Sequence, residues 1–357
     1  MGKSANRILG FDIARALAIL GMVIVNYKIS MDAEGNGPDW LVTLTGILEG
    51  RASAIFVILA GIGISLSTKK ARLKSTSSKE YRKMIWRRSL FLFVLGILLM
   101  LMQWSADILH YYAFYMFIAS FFIVASSRKL ILTVVIIVLT SQTFQLLFNY
   151  EYGWNTTFEK YEMFWTWKGF ISNLFFNGYH PIFPWVAFLL FGMWLGRVDL
   201  QNPRIQQKFM TVSLITLFLT EATSYVFIKL SESAVGIEVA LYLFDTKPMP
   251  PSLLYMISST SSAIILILLC VMISEKWRSS TVTQALVYTG QLALTLYVGH
   301  FLVLAVFFMF GGLAENTLTF AVTIAVIFFI LSTFLSTWWR KAFKRGPIEA
   351  LMRKISG

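Results

Sequence analysis

The sequence predicts an all-α, polytopic integral membrane protein with about ten transmembrane helices and cytoplasmic N- and C-termini. First, 57% of its 357 residues are hydrophobic and only 14% are charged, whereas soluble domains carry about 25% charged residues. Second, apolar runs of about 20 residues, the length that crosses a bilayer, recur along the whole chain. Third, basic residues concentrate in alternate connections. Together these observations predict a single transmembrane domain over residues 1–357.

The apolar runs define the expected spans. They lie near residues 9–29, 50–68, 88–104, 107–126, 130–148, 182–196, 209–229, 252–274, 284–306 and 317–338. Residues 43–48, between the first two spans, are interpreted as a short interfacial segment. The first run contains Asp12 and Arg15 and lacks a small-residue cleavage site, so we expect a retained helix rather than a cleaved signal peptide.

The distribution of Lys and Arg predicts the orientation. With the N-terminus inside, 24 of the 31 basic residues lie in the expected cytoplasmic segments and three lie in the opposite connections. Cytoplasmic loops of membrane proteins carry such an excess of positive charge. The net charge of +13 is therefore a sign of topology. The lipid bilayer is the expected partner, and nucleic acid is not expected to be one.

The longest external connection, residues 149–182, is rich in Trp, Tyr and Phe. It is too long for a simple turn between helices. We expect it to pack on the membrane surface or to cap a cavity.

The first span carries three polar side chains that are costly in a bilayer. A charge inside the membrane costs about 2.5–3.5 kcal/mol on insertion scales. Asp12, Arg15 and Asn26 share a helical stripe about 60° wide, and the spacing of the first two allows an ion pair. Lys28 lies on another face and is expected to extend outward to the interface. The stripe is either a structural ion pair with a packing amide or part of a functional site.

Basic residues at two places are candidates for binding phosphate. Arg51 lies beside Glu49 at the start of the second span. It either forms an interfacial salt bridge or extends its guanidinium group into a central cavity. Lys69, Lys70 and Arg72 lie in the basic loop 69–88. That loop either holds the phosphates of a substrate or sets the topology and contacts anionic lipids.

All three histidines map to the expected outer half of the membrane. Asp107 precedes His110 by three residues and can orient its imidazole and raise its basicity, as a general base requires. His180 and His300 lie at the outer ends of two other spans. The alternative for each is a hydrogen-bonded packing residue. The three histidines have no metal-ligand spacing, and Cys270 is a lone cysteine, so no metal site is predicted.

Segments along the whole chain resemble the YeiB-like family of bacterial membrane proteins. Arg7–Met22 with Asn26 resembles the opening of that family and of heparan-α-glucosaminide N-acetyltransferases, and Arg51–Gly63 resembles their second helix. Asp107–Tyr112, Gly290–Tyr297 and Phe343–Glu349 also resemble YeiB-like segments.

The resemblance implies membership of the transmembrane acyltransferase superfamily, which moves acyl groups from cytosolic acyl-CoA to an acceptor across the membrane. Asn26 matches an asparagine thought functional in the sugar acetyltransferases. Those enzymes have a histidine about eleven residues later, where this chain has Gly37. His300 resembles a histidine late in bacterial O-acyltransferases. The resemblance also implies a bacterial plasma membrane and leaves a homodimer open.

The leading hypothesis is transfer of an acyl group, acetyl in the first place, from cytosolic acyl-CoA to an extracytoplasmic hydroxyl or amine such as that of a cell-envelope sugar. His300, or His110 oriented by Asp107, would be the base, and Asn26 would stabilise the oxyanion. The other expected contacts are Arg15, Arg51, Lys69, Lys70 and Arg72 with acyl-CoA and Tyr111, His180 and Tyr297 with the acceptor.

Two other functions remain open at this point. A transporter or exporter without covalent chemistry would use buried Asp12, Arg15, Arg51 and Glu221 as a substrate or proton path. A structural or sensory membrane protein would tolerate apolar replacements at the same positions.

Overall fold

The computed structural model of the chain describes residues 7–74, 78–102, 104, 106–158, 160–309, 311 and 316–357, with the side chain of Lys74 left out. Within these residues the regular structure is helical, apart from an isolated antiparallel bridge between Trp154 and Tyr161. The prediction of an all-α protein is confirmed.

The helices follow one another with short connections. Their bounds are α1 (Leu9–Ser30), α2 (Asp39–Leu48), α3 (Arg51–Ser67), α4 (Lys69–Lys74), α5 (Ser78–Leu101), α6 (Leu109–Ala119), α7 (Ser127–Leu147), α8 (Trp167–Ser172), α9 (Ile182–Leu195), α10 (Pro203–Val235), α11 (Ile237–Phe244), α12 (Leu253–Lys276), α13 (Thr281–Gln291), α14 (Ala293–Met309), α15 (Leu318–Ala342) and α16 (Pro347–Ser356). A 3₁₀ turn (Ser120–Phe122) continues α6, and a π-helix (Asn173–Asn177) continues α8.

Seven helices in the described part of the chain are long and apolar enough to cross a membrane, or nine segments if each of two bent pairs forms one span. The pairs are Trp167–Asn177 with Ile182–Leu195, bent by 46°, and Thr281–Gln291 with Ala293–Met309, bent by 78°. The expected span 107–126 is a shorter apolar helix, Leu109–Phe122. The polytopic architecture is confirmed, with seven to nine candidate spans instead of about ten. Hydropathy alone does not show where an apolar run bends or ends.

The chain folds into two compact units. Unit 1 comprises residues 1–56, 200–211 and 263–351, and unit 2 comprises residues 57–199, 212–262 and 352–357. In unit 1, α1 packs against α2, α13, α14 and α15. In unit 2, α6 packs against α5 and α9, and α9 also packs against α7. Residues 43–48, expected at the interface, belong to α2, which is followed directly by α3.

Lys28 differs from its expected position. Only 5% of its surface is exposed, and its Nζ lies 3.1 Å from Glu34 and forms a second ion pair with Glu49. The expectation that Lys28 extends outward is therefore wrong. The two carboxylates offset the free-energy cost of removing the ammonium group from water.

Close helix contact in unit 2 depends on a glycine of α9. A Cβ at Gly192 would collide with the backbone carbonyl of Ile58 in α3. Small residues of this kind let helices approach closely in membranes.

We expect Gly192→Leu to lower the free energy of unfolding by about 3 kcal/mol or more, because neither backbone can move without opening the interface. Thermal unfolding of the detergent-solubilised protein measures this effect. Gly63→Ala on the same α3 is the control, since nothing lies within 4 Å of a Cβ there. Equal unfolding temperatures for the two variants would show that the contact between α3 and α9 is loose.

Candidate functional site

Asp107 and His110 form a fully buried pair at the start of α6. Both residues are 0% exposed. Nδ1 of His110 lies 2.9 Å from Oδ2 of Asp107, and the backbone N–H of His110 donates to the same oxygen at 3.0 Å. The carboxylate lies just before the first turn of α6, where a helix dipole stabilises negative charge. The expected i, i+3 pairing is present in the structure.

The pairing determines which nitrogen of His110 can react. When Nδ1–H donates to the carboxylate, Nε2 carries the lone pair of the neutral ring. Nε2 is shielded from solvent and has no hydrogen-bond partner among the described residues. An imidazole oriented by a carboxylate, with its second nitrogen available, is the arrangement of a general base.

Other polar atoms surround this pair in unit 2. The ring of Tyr111 lies 3.9 Å from that of His110 and 6.1 Å from that of His180, and the Tyr111 hydroxyl donates to Asn173 Oδ1. The half-buried His180 packs at 4.5 Å against Trp185. His180 Nδ1 and Trp185 Nε1 are also shielded and without a partner within the described ranges. Because buried polar atoms are normally hydrogen-bonded, this group indicates a binding site for a polar molecule.

The aromatic connection 149–182 covers this site. The ring of Phe164 meets that of His110 edge-on at 5.7 Å, and Phe164 belongs to a buried cluster with Met100, Trp154 and Tyr161. The Tyr115 hydroxyl donates to the carbonyl of His180 and so holds the end of the connection. Of the two expected roles, capping is the one that these contacts favour.

The cover is cross-linked by the amide of Asn177. Nδ2 of Asn177 donates to the backbone carbonyls of Tyr150 and Tyr152 at 2.8 and 2.7 Å. The backbone carbonyl of Asn177 accepts from Trp154 Nε1 at 2.6 Å. Burial raises the pKa of Tyr150 and of Tyr161. Both phenols therefore stay protonated at neutral pH.

The half-buried Asn26 and the buried His300 form a second pair, in unit 1. Nδ2 of Asn26 lies 3.0 Å from Nε2 of His300, and Nδ1 of the imidazole donates to the carbonyl of Tyr297. The Tyr27 hydroxyl donates to the carbonyl of His300 at 3.2 Å. The structure thus brings together Asn26, His300 and Tyr297. Because the Asn26 amide donates to the lone pair on Nε2, that nitrogen is already engaged.

A double-mutant cycle on Asn26→Leu and His300→Leu tests this bond. Each single change removes the hydrogen bond between the two side chains, so we expect each to cost about 0.5–2 kcal/mol of stability. The double variant should lose clearly less than the sum of the two. Unfolding in detergent measures the coupling, with Thr43→Val on the exposed face of α2 as a control that removes only a local bond. Additive losses would show that the two side chains do not interact.

Arg15 is engaged in an ion pair in unit 1. Its Nη1 lies 2.6 Å from Asp12, which confirms the expected pairing, and Arg7 binds the same carboxylate at 2.7 Å.

The other basic candidates do not form one group. Arg51 is half-buried at the first residue of α3, whereas Lys69 and Lys70 are exposed beyond its end. Arg72 is half-buried, and its Nη1 donates to Ser65 at 3.2 Å. Arg51 belongs to unit 1, whereas Lys69, Lys70 and Arg72 belong to unit 2.

Three residues near these candidates were not expected. Asn173 and Trp185 join the His110 site, and Arg197 lies beside the basic loop. Asn173 had one indication in the sequence, because a polar amide stands out in the aromatic connection 149–182. Arg197 looked like one more topology-determining charge. Within the described residues, no group of three or more His, Cys, Asp or Glu side chains could hold a metal ion.

Two family profiles match the chain. Residues 7–223, more than half of its length, match the family described as heparan-alpha-glucosaminide N-acetyltransferase, catalytic. Residues 200–357 match the family described as protein of unknown function (DUF418). No curated protein sequence matches significantly. The first match includes Asn26, Asp107, His110 and His180, and the second includes His300. The expected resemblance to both families is confirmed.

Proposed function

The chain belongs to the family of the heparan-alpha-glucosaminide N-acetyltransferase catalytic domain, and from this premise we propose that it is a multi-pass membrane acetyltransferase. In this proposal it transfers the acetyl group of cytosolic acetyl-CoA to an amine or hydroxyl of an extracytoplasmic acceptor such as a cell-envelope sugar. The description of the family supports acetyl as the transferred group and an amino sugar as the class of acceptor. The asymmetry of basic residues supports cytoplasmic termini. The resemblance to YeiB-like proteins supports a bacterial plasma membrane.

The observation that carries the proposal is the buried Asp107–His110 pair with its available Nε2. In the proposed step, Nε2 of His110 removes a proton from the acceptor nitrogen or oxygen as that atom attacks the thioester carbonyl. The carbon–sulfur bond then breaks, and the CoA thiolate leaves and takes up the proton from the imidazolium. Asp107 keeps Nδ1 protonated and stabilises the transient positive charge on the ring.

The surroundings of His110 suit this chemistry. Phe164 and Tyr111 pack against the imidazole and limit the access of water. Exclusion of water protects a thioester from hydrolysis and strengthens the interaction between the ring and Asp107. His180 and Tyr111 are the proposed contacts of the acceptor.

The roles of Asn26 and His300 as oxyanion donor and second candidate base remain predictions. The Asn26 amide donates one of its two N–H groups to Nε2 of His300. For His300 to accept a proton from a substrate, Asn26 would have to turn away from Nε2.

The test of the function is acetyl transfer by the protein in lipid nanodiscs. Acetyl-CoA carrying a labelled acetyl group is supplied with glucosamine as the acceptor probe. We expect a labelled N-acetyl product and one free CoA thiol for each product formed. Uptake of glucosamine into proteoliposomes without acetylation would instead support a transporter and overturn the proposal.

A further inference from the structure

Arg197 presents unused hydrogen-bond donors just beyond the end of α9. Its Nη1 donates to Ser127 Oγ at 3.2 Å, while Nε and Nη2 are shielded from solvent and have no partner among the described residues. A Cβ at the preceding Gly196 would lie 2.9 Å from Cβ of Ser65 and 3.0 Å from Ile62. This close approach places the guanidinium beside the end of α3.

Arg72 brings a second positive charge to the same place. It lies in α4, directly after α3, and donates to Ser65 Oγ. Burial, followed by the charge of Arg72, lowers the pKa of Arg197 to about 10. Both arginines therefore remain charged at neutral pH. Neither forms an ion pair with a carboxylate within the part of the chain that the structure describes.

The helix that meets Arg197 adds to the positive potential. Ser127 is the first residue of α7, a helix of 21 residues. The N-terminus of such a helix carries a partial positive charge and favours anions. Two arginines beside it raise the positive potential further, and a bound anion would offset their repulsion. An arginine fork with free Nε and Nη2 is suited to bidentate contact with phosphate.

We propose that Arg72, Arg197 and the N-terminus of α7 form a phosphate-binding site, and that its ligand is a phosphate group of CoA. The identity of the phosphate source rests on the proposed function. The site itself rests on the two arginines and on the unused donors of Arg197. By the distribution of basic residues, this end of α3 and α9 is the cytoplasmic one, where CoA is available.

The test is calorimetric binding of CoA to the full-length protein in phosphatidylcholine nanodiscs and phosphate-free buffer. We expect Arg197→Gln and Arg72→Gln each to raise the Kd for CoA about tenfold to a hundredfold, because each removes charge-assisted hydrogen bonds. Binding of pantetheine, which lacks the phosphates, should not change. Lys160→Gln is the matched control, since it removes one exposed positive charge from the connection 149–182, which the distribution of basic residues places on the opposite side of the membrane. Arg197→Lys and Ser127→Ala replace Arg197→Gln if that variant does not fold.

The outcomes separate this site from the proposed function. If wild-type protein binds CoA and both arginine variants bind it equally well, the site is wrong while acetyl transfer still stands. If wild-type protein binds no CoA but retains phosphatidylglycerol in native mass spectrometry, and both variants lose that lipid, the phosphate site stands with a lipid headgroup as its ligand and the proposed function fails. If the two arginine variants bind CoA, pyrophosphate and anionic lipid as the wild-type protein does, the proposed site is wrong.

Discussion

His110→Gln is expected to lower acetyl transfer by about 10²–10⁴-fold, the usual contribution of a positioned base. Glutamine fills similar space and can still hydrogen-bond to Asp107, but its amide cannot take a proton from the acceptor. The loss should appear in kcat, while the KM for acetyl-CoA stays close to wild type. Initial rates with labelled acetyl-CoA measure the effect.

Asp107→Asn provides an independent test of the same pair. Its shape is conserved, so the fold should persist. The neutral amide carries no charge to stabilise the imidazolium that forms when Nε2 of His110 takes up a proton. We therefore expect a loss of similar order at unchanged thermal stability. If His300→Gln abolished transfer while His110→Gln and Asp107→Asn kept wild-type rates, the base would be His300.

Glu349→Ala is expected to give the largest loss of stability among polar substitutions in unit 1. Oε1 of Glu349 accepts the backbone N–H groups of Leu294 and Thr295 at 2.8 and 3.0 Å, and Oε2 accepts the Thr295 hydroxyl at 2.5 Å. These N–H groups belong to the first turn of α14, directly after the 78° bend, and have no partner within that helix.

Removal of this carboxylate leaves three donors unsatisfied and the positive end of α14 without an anion. We expect a loss of about 2–5 kcal/mol in the free energy of unfolding, with Glu349→Gln intermediate. Thermal unfolding in detergent checks the value. Glu232→Gln is the control, because its pair with Lys229 is exposed and should contribute less than about 1 kcal/mol. Equal stability of Glu349→Ala and Glu232→Gln would contradict the capping role.

The Glu349 contacts also explain two of the sequence segments that resemble the YeiB-like family. Gly290–Tyr297 contains the first turn of α14, and Phe343–Glu349 contains the carboxylate that caps it. The Ile348 N–H donates to Thr295 Oγ1 at 3.2 Å, so the segments bind each other in both directions. Sequence comparison identifies each segment separately, whereas their contact depends on how the chain returns to α14 after α15.

The sequence by itself determined the membrane class, the all-α fold and the local pairs. Hydrophobic content and the spacing of apolar runs suffice for the first two, because a bilayer requires about 20 apolar residues in a helix to satisfy the backbone. The pairs Asp12–Arg15 and Asp107–His110 were also predictable. Their spacing of three residues places the side chains on one side of a turn whatever the rest of the chain does.

Only the tertiary structure decided which imidazole nitrogens are hydrogen-bonded and where charge is buried. The sequence treated His110 and His300 as alternatives, yet Asn26 donates to Nε2 of His300, whereas Nε2 of His110 has no partner among the described residues. Lys28 is buried and forms an ion pair with Glu49, 21 residues away. The close packing of Gly196 on α3 places Arg197 beside Arg72. These contacts join residues far apart in sequence. Helical periodicity gives the direction of a side chain on its own helix, but only packing determines which partner it meets.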